Sequence, residues 1–353
     1  KDIIDTHDFE TEMGSAIYRG RRPDSDAPIV TMIRRAGGAV LGKTVTTEFA
    51  ATFPGPTTNP HNVNHTPGGS SSGSAAAVAA GMVPLAIGSQ TAGSIVRPAA
   101  FCGVAGYKPS FGMFPTAGVK LMSWSLDTLG FFGQGIPDVS FFASAVAGYA
   151  ITRRKERPPR YGLLETSRWP QISPDMHDAV AAAVRRATLC GASFSHVAVP
   201  DFYASADGAH NTIQNYEIAR ALAFEFDHHA GLLSPGLKTI IEDGLAIAPE
   251  EYVIAQQTAL QARGASGVLF EGVDALLLPS APGAAPQGLA YTGDSALCRV
   301  WTLLGFACVN VPGFRDKTGM PLGLQIVAPW GRDDDALWAA EFLEDAINAG
   351  ADA

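Results

Sequence analysis

Serine and glycine are concentrated in two clusters on either side of a short apolar stretch, and the rest of the chain is organised around this pattern. The clusters span residues 68–74 and 88–94. Residues 75–80 are strong helix formers and Gly81 suits a left-handed cap, so the spacing predicts a helix that begins at the first cluster. Residues 83–87 then predict a short buried strand.

The second cluster predicts a loop followed at once by another helix. Residues 88–93 have small side chains, which tolerate unusual backbone angles and leave N–H groups accessible. Ser94 follows, and Pro98 fits the first turn of a helix, where a missing N–H costs nothing. A hydroxyl at a helix N-terminus, behind a loop of free amide donors, is how a nucleophile and an oxyanion hole are built from adjacent residues.

Hydrophobic periodicity elsewhere predicts mixed helices and strands. The clearest amphipathic helix covers residues 26–36, where Ile29, Val30 and Ile33 share one face. Strands are predicted over residues 39–42, 104–108, 195–199, 273–279 and 321–327. Helices are predicted over residues 138–150, 173–194 and 334–348, with mostly helical chain over residues 203–270. Residues 153–159 are predicted to be a basic, solvated connection.

Composition and charge exclude several classes of function. Of the 353 residues, 46% are hydrophobic and 17% are charged, which supplies enough apolar material for a large core. The net charge of −9 argues against non-specific binding to nucleic acid or an anionic membrane, because either needs a basic face. The sequence contains neither a run of eighteen apolar residues nor a signal peptide, which predicts a cytoplasmic protein.

The sequence contains no motif for a cofactor or a metal. Its four cysteines form no C-x-x-C pair, so neither a disulfide framework nor a zinc site is indicated. His61 and His65 have no third ligand in view. Phosphate-binding loops are excluded because neither G-x-x-x-x-G-K-[ST] nor G-x-G-x-x-G after a strand is present. A flexible linker would also be rich in serine and glycine, but here helix and strand follow directly.

Several segments together resemble the amidase signature family, serine hydrolases that cut amide bonds with a Ser–Ser–Lys triad. The matching segments are residues 68–71, the loop that contains Ser94, and residues 97–99, 102–103 and 106–109. The resemblance implies an α/β fold, a single large domain over residues 1–353 with a mixed β-sheet sandwiched between α-helices. It also implies that the helical segment which precedes this point in the family is missing from the sequence.

The same resemblance assigns the catalytic roles. Ser94 would be the nucleophile, Ser70 the relay serine on a cis peptide bond, and Lys1 the base. Lys43 is the competing lysine, but its segment is not the one that carries the triad lysine in the family. Composition alone cannot rank the two lysines. The expected oxyanion hole comprises Thr91, Ala92, Gly93 and Ser94.

Two positions depart from the usual loop of the family. Gln90 replaces a common Asp, and Ala92 replaces a glycine, although alanine still donates its N–H. Arg97 follows Ser94 by three residues, so on one helix both side chains would project from nearly the same face. Its guanidinium could then grip a substrate carboxylate, or it could instead be a structural arginine paired with a core acid. The predicted substrate contacts are Arg97, Ser71 and Gln214.

Within the family, the segments look closest to malonamidase, which acts on small acidic amides. The expected activity is hydrolysis of a small, carboxylate-bearing carboxamide to acid and ammonia through a Ser94 acyl-enzyme. The alternative is the catalytic subunit of an amidotransferase, which passes ammonia to a partner. A Ser–His–Asp hydrolase fits less well, because all eight histidines lie outside the motifs and no G-x-S-x-G is present. The expected partner is a small-molecule amide, and a homodimer is left open.

Overall fold

A mixed β-sheet runs through the part of the chain that the computed structural model describes, residues 1–51, 53–152 and 155–349. Its eight strands are β1 Leu85–Gln90, β2 Ala105–Lys108, β3 Thr128–Gly133, β4 Arg160–Leu164, β5 Ser193–Val197, β6 Ala275–Pro279, β7 Ala307–Arg315 and β8 Pro321–Ala328. Their order is β1-β3-β2-β7-β8-β6-β4-β5. The pairs from β1 to β6 are antiparallel, whereas β6, β4 and β5 are parallel.

Helices cover both faces of this sheet. The α-helices of the described residues are α1 Pro28–Arg35, α2 Ser72–Ala79, α3 Val96–Cys102, α4 Ile136–Ala147, α5 Pro174–Leu189, α6 Phe202–Ala221, α7 Ala223–His229, α8 Pro235–Ala246, α9 Pro249–Ala265, α10 Arg299–Leu303 and α11 Asp333–Ala349. Two of the longer ones begin at serine caps, since Ser173 and Ser234 each accept a first-turn N–H. No helix of the described ranges is both long and apolar enough to cross a membrane.

Alternating residues of the central strands divide the core into two layers. Leu277 and Ile326 point into one apolar cluster, together with residues of α1, α4, α5 and α11. Their neighbours Leu278 and Val327 point into another cluster, which includes residues of α6 and α9 and Val96 of α3. This alternation is what a sheet covered on both faces requires. The predicted α/β fold, with a mixed sheet between helices, is therefore confirmed.

Two local predictions are wrong. Residues 39–42 form an exposed loop instead of a buried strand, and Leu41 is 71% exposed. Gly88, Ser89 and Gln90 belong to β1 instead of a loop, because they pair with Gly130, Leu129 and Thr128 of β3. Within the predicted connection 153–159, residues 153 and 154 lie outside the described residues.

Gly88 shows why the loop prediction failed. A Cβ at this position would lie 2.6 Å from Ser71 Oγ and 2.6 Å from a ring carbon of Phe132. The glycine therefore allows β1 to approach the first serine cluster closely, and it does not mark flexible chain. This close approach brings the two serine-rich segments side by side.

Candidate active site

Lys1 and Ser70 are in direct contact at the centre of the molecule. Lys1 Nζ lies 2.7 Å from Ser70 Oγ and 2.7 Å from Ser89 Oγ. Its backbone nitrogen donates to Ile87 O of β1, so the first residue is fixed along the edge strand. Both Lys1 and Ser70 are almost completely buried, and the Gly69–Ser70 peptide bond is cis, as the family resemblance implies.

The surroundings of Lys1 favour its neutral form. Burial lowers the pKa of the Lys1 side chain from 10.5 to about 7, because a charged ammonium loses its hydration there. The negative charge of Asp127 opposes this shift, and the positive charge of Arg97 adds to it. A lysine with such a pKa is partly deprotonated at neutral pH, which is the condition for accepting a proton.

Lys43 has a different environment. Its Nζ donates to Thr11 Oγ1 and to Glu10 O, and forms an ion pair of 3.0 Å with Asp2. These partners lie on the N-terminal segment, and Ser70 is not among them. Of the two lysines considered from the sequence, the structure brings Lys1 to the serine cluster.

Ser94 lies in the turn between β1 and α3, two residues before the helix begins. Its side chain lines a cavity of about 260 Å³. The hydrogen bonds of the described residues include none between the hydroxyls of Ser94 and Ser70. Arg97 links the two segments, since its N–H donates to Gly93 O and its guanidinium donates to Gly69 O.

Gln90 performs the work of a helix cap at the start of α3. Its Oε1 accepts from the backbone N–H groups of Ile95 and Val96, at 2.8 and 3.1 Å. These are orphan donors at a helix N-terminus, where an acceptor is stabilising. Gln90 Nε2 donates to Thr302 Oγ1 at 3.0 Å, a bond that the carboxylate of an Asp could not make.

Asp127 and His210 hold Thr91, and both were missed as site residues in the sequence. Thr91 Oγ1 donates to Asp127, which also accepts from the N–H groups of Met122 and Ser123. Burial raises the pKa of Asp127 to about 6, and these donors oppose the shift. His210 Nε2 lies 2.9 Å from Thr91 O, and burial lowers the pKa of this histidine to about 4. Neither residue has a local signal in the sequence that links it to Thr91.

Glu217 anchors the segment that contains Asp127. Its buried carboxylate accepts from the hydroxyls of Ser123 and Ser125 and from the Tyr252 hydroxyl. Through these bonds α6 and α9 hold the chain just before Asp127. The sequence pattern indicated that residues 123–130 help to wall the site, and Glu217 supplies the contact that holds this wall in place.

Arg97 lines the cavity, but its guanidinium is engaged by the backbone. It donates to Gly69 O and Gly293 O, each at 2.7 Å, and lies 3.4 Å from Thr292 Oγ1. Neither the expected core acid nor a free fork facing the cavity is found at these contacts. This geometry favours a bracing role for Arg97 over the predicted grip on a substrate carboxylate.

The other two predicted substrate contacts are placed differently from each other. Gln214 of α6 lines the cavity beside Ser94. Ser71 is fully buried and exchanges hydrogen bonds with the backbone of Ser89, so the prediction that it contacts substrate finds no support in this geometry. The cavity wall also contains groups that the sequence did not reveal: Ala50, Ala51, Met122, Asn211, Ile218, Ile240, Tyr291, Asp294 and Arg299.

The site offers no set of metal ligands. Within the described ranges, no group of three or more His, Cys, Asp or Glu side chains could hold a metal ion. The ring nitrogens of His61 and His65 instead lie next to the carbonyls of Cys102 and Ala285. The chemistry of this site is therefore carried by hydroxyls, a lysine and backbone N–H groups.

Comparison with known proteins agrees with this set of groups. The family model described as amidase matches residues 1–337. The chain belongs to the amidase family. It is an amide-cleaving enzyme, and the Ser–Ser–Lys arrangement is characteristic of that family.

Relatives and solved structures extend the match over nearly the whole chain. A glutamyl-tRNA(Gln) amidotransferase subunit of Rhodopirellula baltica is 33% identical over 93% of this chain and 78% of its own length. A solved amidase structure has a TM-score of 0.91 at 28% identity, covering 98% of this chain and 83% of its own. The peptide amidase of Stenotrophomonas maltophilia has a TM-score of 0.84 at 27% identity, covering 99% and 82%. These comparisons confirm the family but not the expected closeness to malonamidase.

Proposed function

We propose that the chain hydrolyses a small primary carboxamide to a carboxylic acid and ammonia through an acyl-enzyme on Ser94. Neutral Lys1 accepts the proton of Ser70, Ser70 accepts the proton of Ser94, and Ser94 Oγ attacks the amide carbonyl carbon. The protons return along the same path to the leaving nitrogen, which departs as ammonia. Water then attacks the acyl group, giving the acid and restoring the Ser94 hydroxyl.

The observation that carries this proposal is the contact of 2.7 Å between Lys1 Nζ and Ser70 Oγ, together with the lowered pKa of Lys1. A base near neutrality next to a buried hydroxyl can start a proton relay without histidine. Ser94 is at the cavity wall, where a substrate carbonyl can reach it. In this mechanism the N–H groups from Thr91 to Ser94 stabilise the oxyanion.

The substrate is the finer part of the proposal, and two candidates remain. A malonamate-like amide was expected from the sequence, whereas the relatives that are amidotransferase subunits support glutamine as the ammonia donor. The cavity wall contains both an acid, Asp294, and a cation, Arg299, although Arg299 is paired with Asp207. Groups of both signs suit an amino-acid amide better than malonamate, which has only a carboxylate. We therefore favour an ammonia-producing subunit that acts on an amino-acid amide.

Ammonia release by the purified chain tests both levels of the proposal. The panel comprises L-glutamine, malonamate and the neutral propionamide, and Ser94→Ala is the control. Release from glutamine above malonamate supports the amidotransferase alternative, and the reverse order supports the malonamate-like hydrolase. Release that persists in Ser94→Ala, or none from any amide alone or with lysate of the source organism, would count against the proposal.

A further inference from the structure

The turn that precedes Ser94 has its carbonyl groups tied to buried side chains. His210 Nε2 donates to Thr91 O at 2.9 Å, and Thr302 Oγ1 donates to Ala92 O at 2.9 Å. The next carbonyl, Gly93 O, accepts from the backbone N–H of Arg97 at 2.9 Å. Three successive carbonyls are thus fixed by α6, α10 and α3.

Fixing a carbonyl also fixes the next N–H. The C=O and N–H of one trans peptide unit lie in one plane and point in opposite directions. His210 therefore sets the direction of the Ala92 N–H, and Thr302 sets that of the Gly93 N–H. Within the part of the chain that the structure describes, neither N–H donates to a protein acceptor, so both are available to a ligand oxygen.

The direction of the Thr302 hydrogen bond is determined by Gln90. Because Ile95 and Val96 present N–H donors, they require the Oε1 of Gln90, which leaves its Nε2 facing Thr302. Thr302 Oγ1 accepts from this amide and must use its single proton elsewhere. Ala92 O, at 2.9 Å, is a closer acceptor than Cys298 O, at 3.3 Å.

We propose that Thr302, oriented by Gln90, and His210 are positioning residues that aim the N–H groups of Gly93 and Ala92 at the substrate carbonyl oxygen. None of the three touches the reacting atoms. They act through the backbone, and their contribution appears only when negative charge develops on that oxygen. This inference rests on the proposed Ser94 chemistry.

Variants at Thr302 test the inference. Thr302→Val keeps the volume and loses the donor, whereas Thr302→Ser keeps the donor. We expect Val to lower kcat by about 10–100-fold with KM within twofold, because removing an oxyanion-hole donor costs about 10²–10³-fold and this effect is indirect. Ser should remain within about threefold of the wild type. The midpoint of the pH–rate profile should stay in place, since Lys1 and Ser70 are not disturbed.

Gln90→Glu gives an independent test with almost no change in volume. A Glu carboxylate still caps Ile95 and Val96, but it accepts the Thr302 proton and draws it away from Ala92. Gln90→Glu should therefore resemble Thr302→Val in kcat. It provides the same measurement if Thr302→Val does not fold.

Inactivation by a fluorophosphonate, which phosphonylates an activated serine, supplies a readout independent of the amide. An unlabelled wild-type chain would refute the proposed nucleophile itself. A labelled wild type with equal labelling rates in Thr302→Val and Gln90→Glu would overturn the positioning role alone. Equal losses in Thr302→Val and Thr302→Ser, with matching falls in melting temperature, would also overturn it, because they indicate a structural role only.

Discussion

Lys1 Nζ lies 2.7 Å from Ser70 Oγ, in a pocket where burial lowers the pKa of the lysine to about 7. Two residues separated by 69 positions thereby form a base and a proton relay. The acid that could hold the lysine in its charged form, Asp127, is itself buried, and burial raises its own pKa. The protonation of Lys1 thus depends on a balance between burial and one nearby carboxylate.

The first prediction concerns the pH dependence of activity. Lys1 must be neutral to accept a proton, so kcat/KM should rise with pH around a midpoint near 7 and be lost as the lysine becomes protonated below it. Lys1→Met should lower kcat by roughly 10⁴-fold or more, as loss of a triad member does in other hydrolases. Lys43→Met is the matched control and should keep most of the activity. A fully active Lys1→Met chain would contradict the role of Lys1.

The second prediction concerns Asp127. Its negative charge stabilises the charged form of Lys1, so Asp127→Asn should move the midpoint of the pH–rate profile to lower pH. The value of kcat should also fall, because the carboxylate that holds Thr91 is lost. Asp243→Asn changes the same charge on an exposed face of α8 and serves as control. A midpoint that is unchanged or raised in Asp127→Asn would argue against this coupling.

The third prediction separates two roles of Arg97. Because its guanidinium bridges Gly69 O and Gly293 O, Arg97→Ala should lower activity equally toward carboxylate-bearing and neutral amides. The free energy of unfolding should fall by roughly 2–4 kcal/mol, since two buried carbonyls lose their donor. Arg97→Lys retains the charge but not the fork, and should behave similarly. A selective loss toward carboxylate-bearing amides would instead restore the predicted charge-binding role.

The fourth prediction concerns stability. Glu217→Gln replaces one acceptor oxygen by an NH₂ group that faces the hydroxyl donors of Ser123, Ser125 and Tyr252. We expect a loss of about 1–3 kcal/mol in the free energy of unfolding, measured in urea. Glu242→Gln, on an exposed face of α8, should change it by less than about 0.5 kcal/mol. Equal stability of the two variants would show that the network around Glu217 is unimportant.

Sequence patterns predicted the fold where hydrophobic periodicity was strong. Helices such as α1 and α5 have a clear apolar face or a serine cap. Strand β3 was missed because Thr128–Gly133 is buried on both faces and contains two glycines, so it shows neither alternation nor a typical strand composition. Residues 39–42 look like a strand but pair with none in the described residues, and pairing cannot be read from one segment alone.

The candidate site was predictable only where its residues are adjacent in sequence. Ser70 and Ser94 lie in glycine-rich motifs, and the family resemblance supplied Lys1. Gln90 appeared from the sequence to be a departure from the family, and only the contact with Thr302 shows how an amide fits there. His210 and Thr302 lie more than 100 residues from the turn that they hold, so only the folded chain brings them together.

The most direct test of the account is the position of a covalent adduct. The chain is treated with a fluorophosphonate at pH 8, where most of Lys1 is neutral, then digested and sequenced by mass spectrometry. The account predicts one adduct, on Ser94, which is absent in Ser94→Ala and strongly reduced in Lys1→Met. An adduct on Ser70 or Ser71, or labelling that is as fast without Lys1, would contradict it.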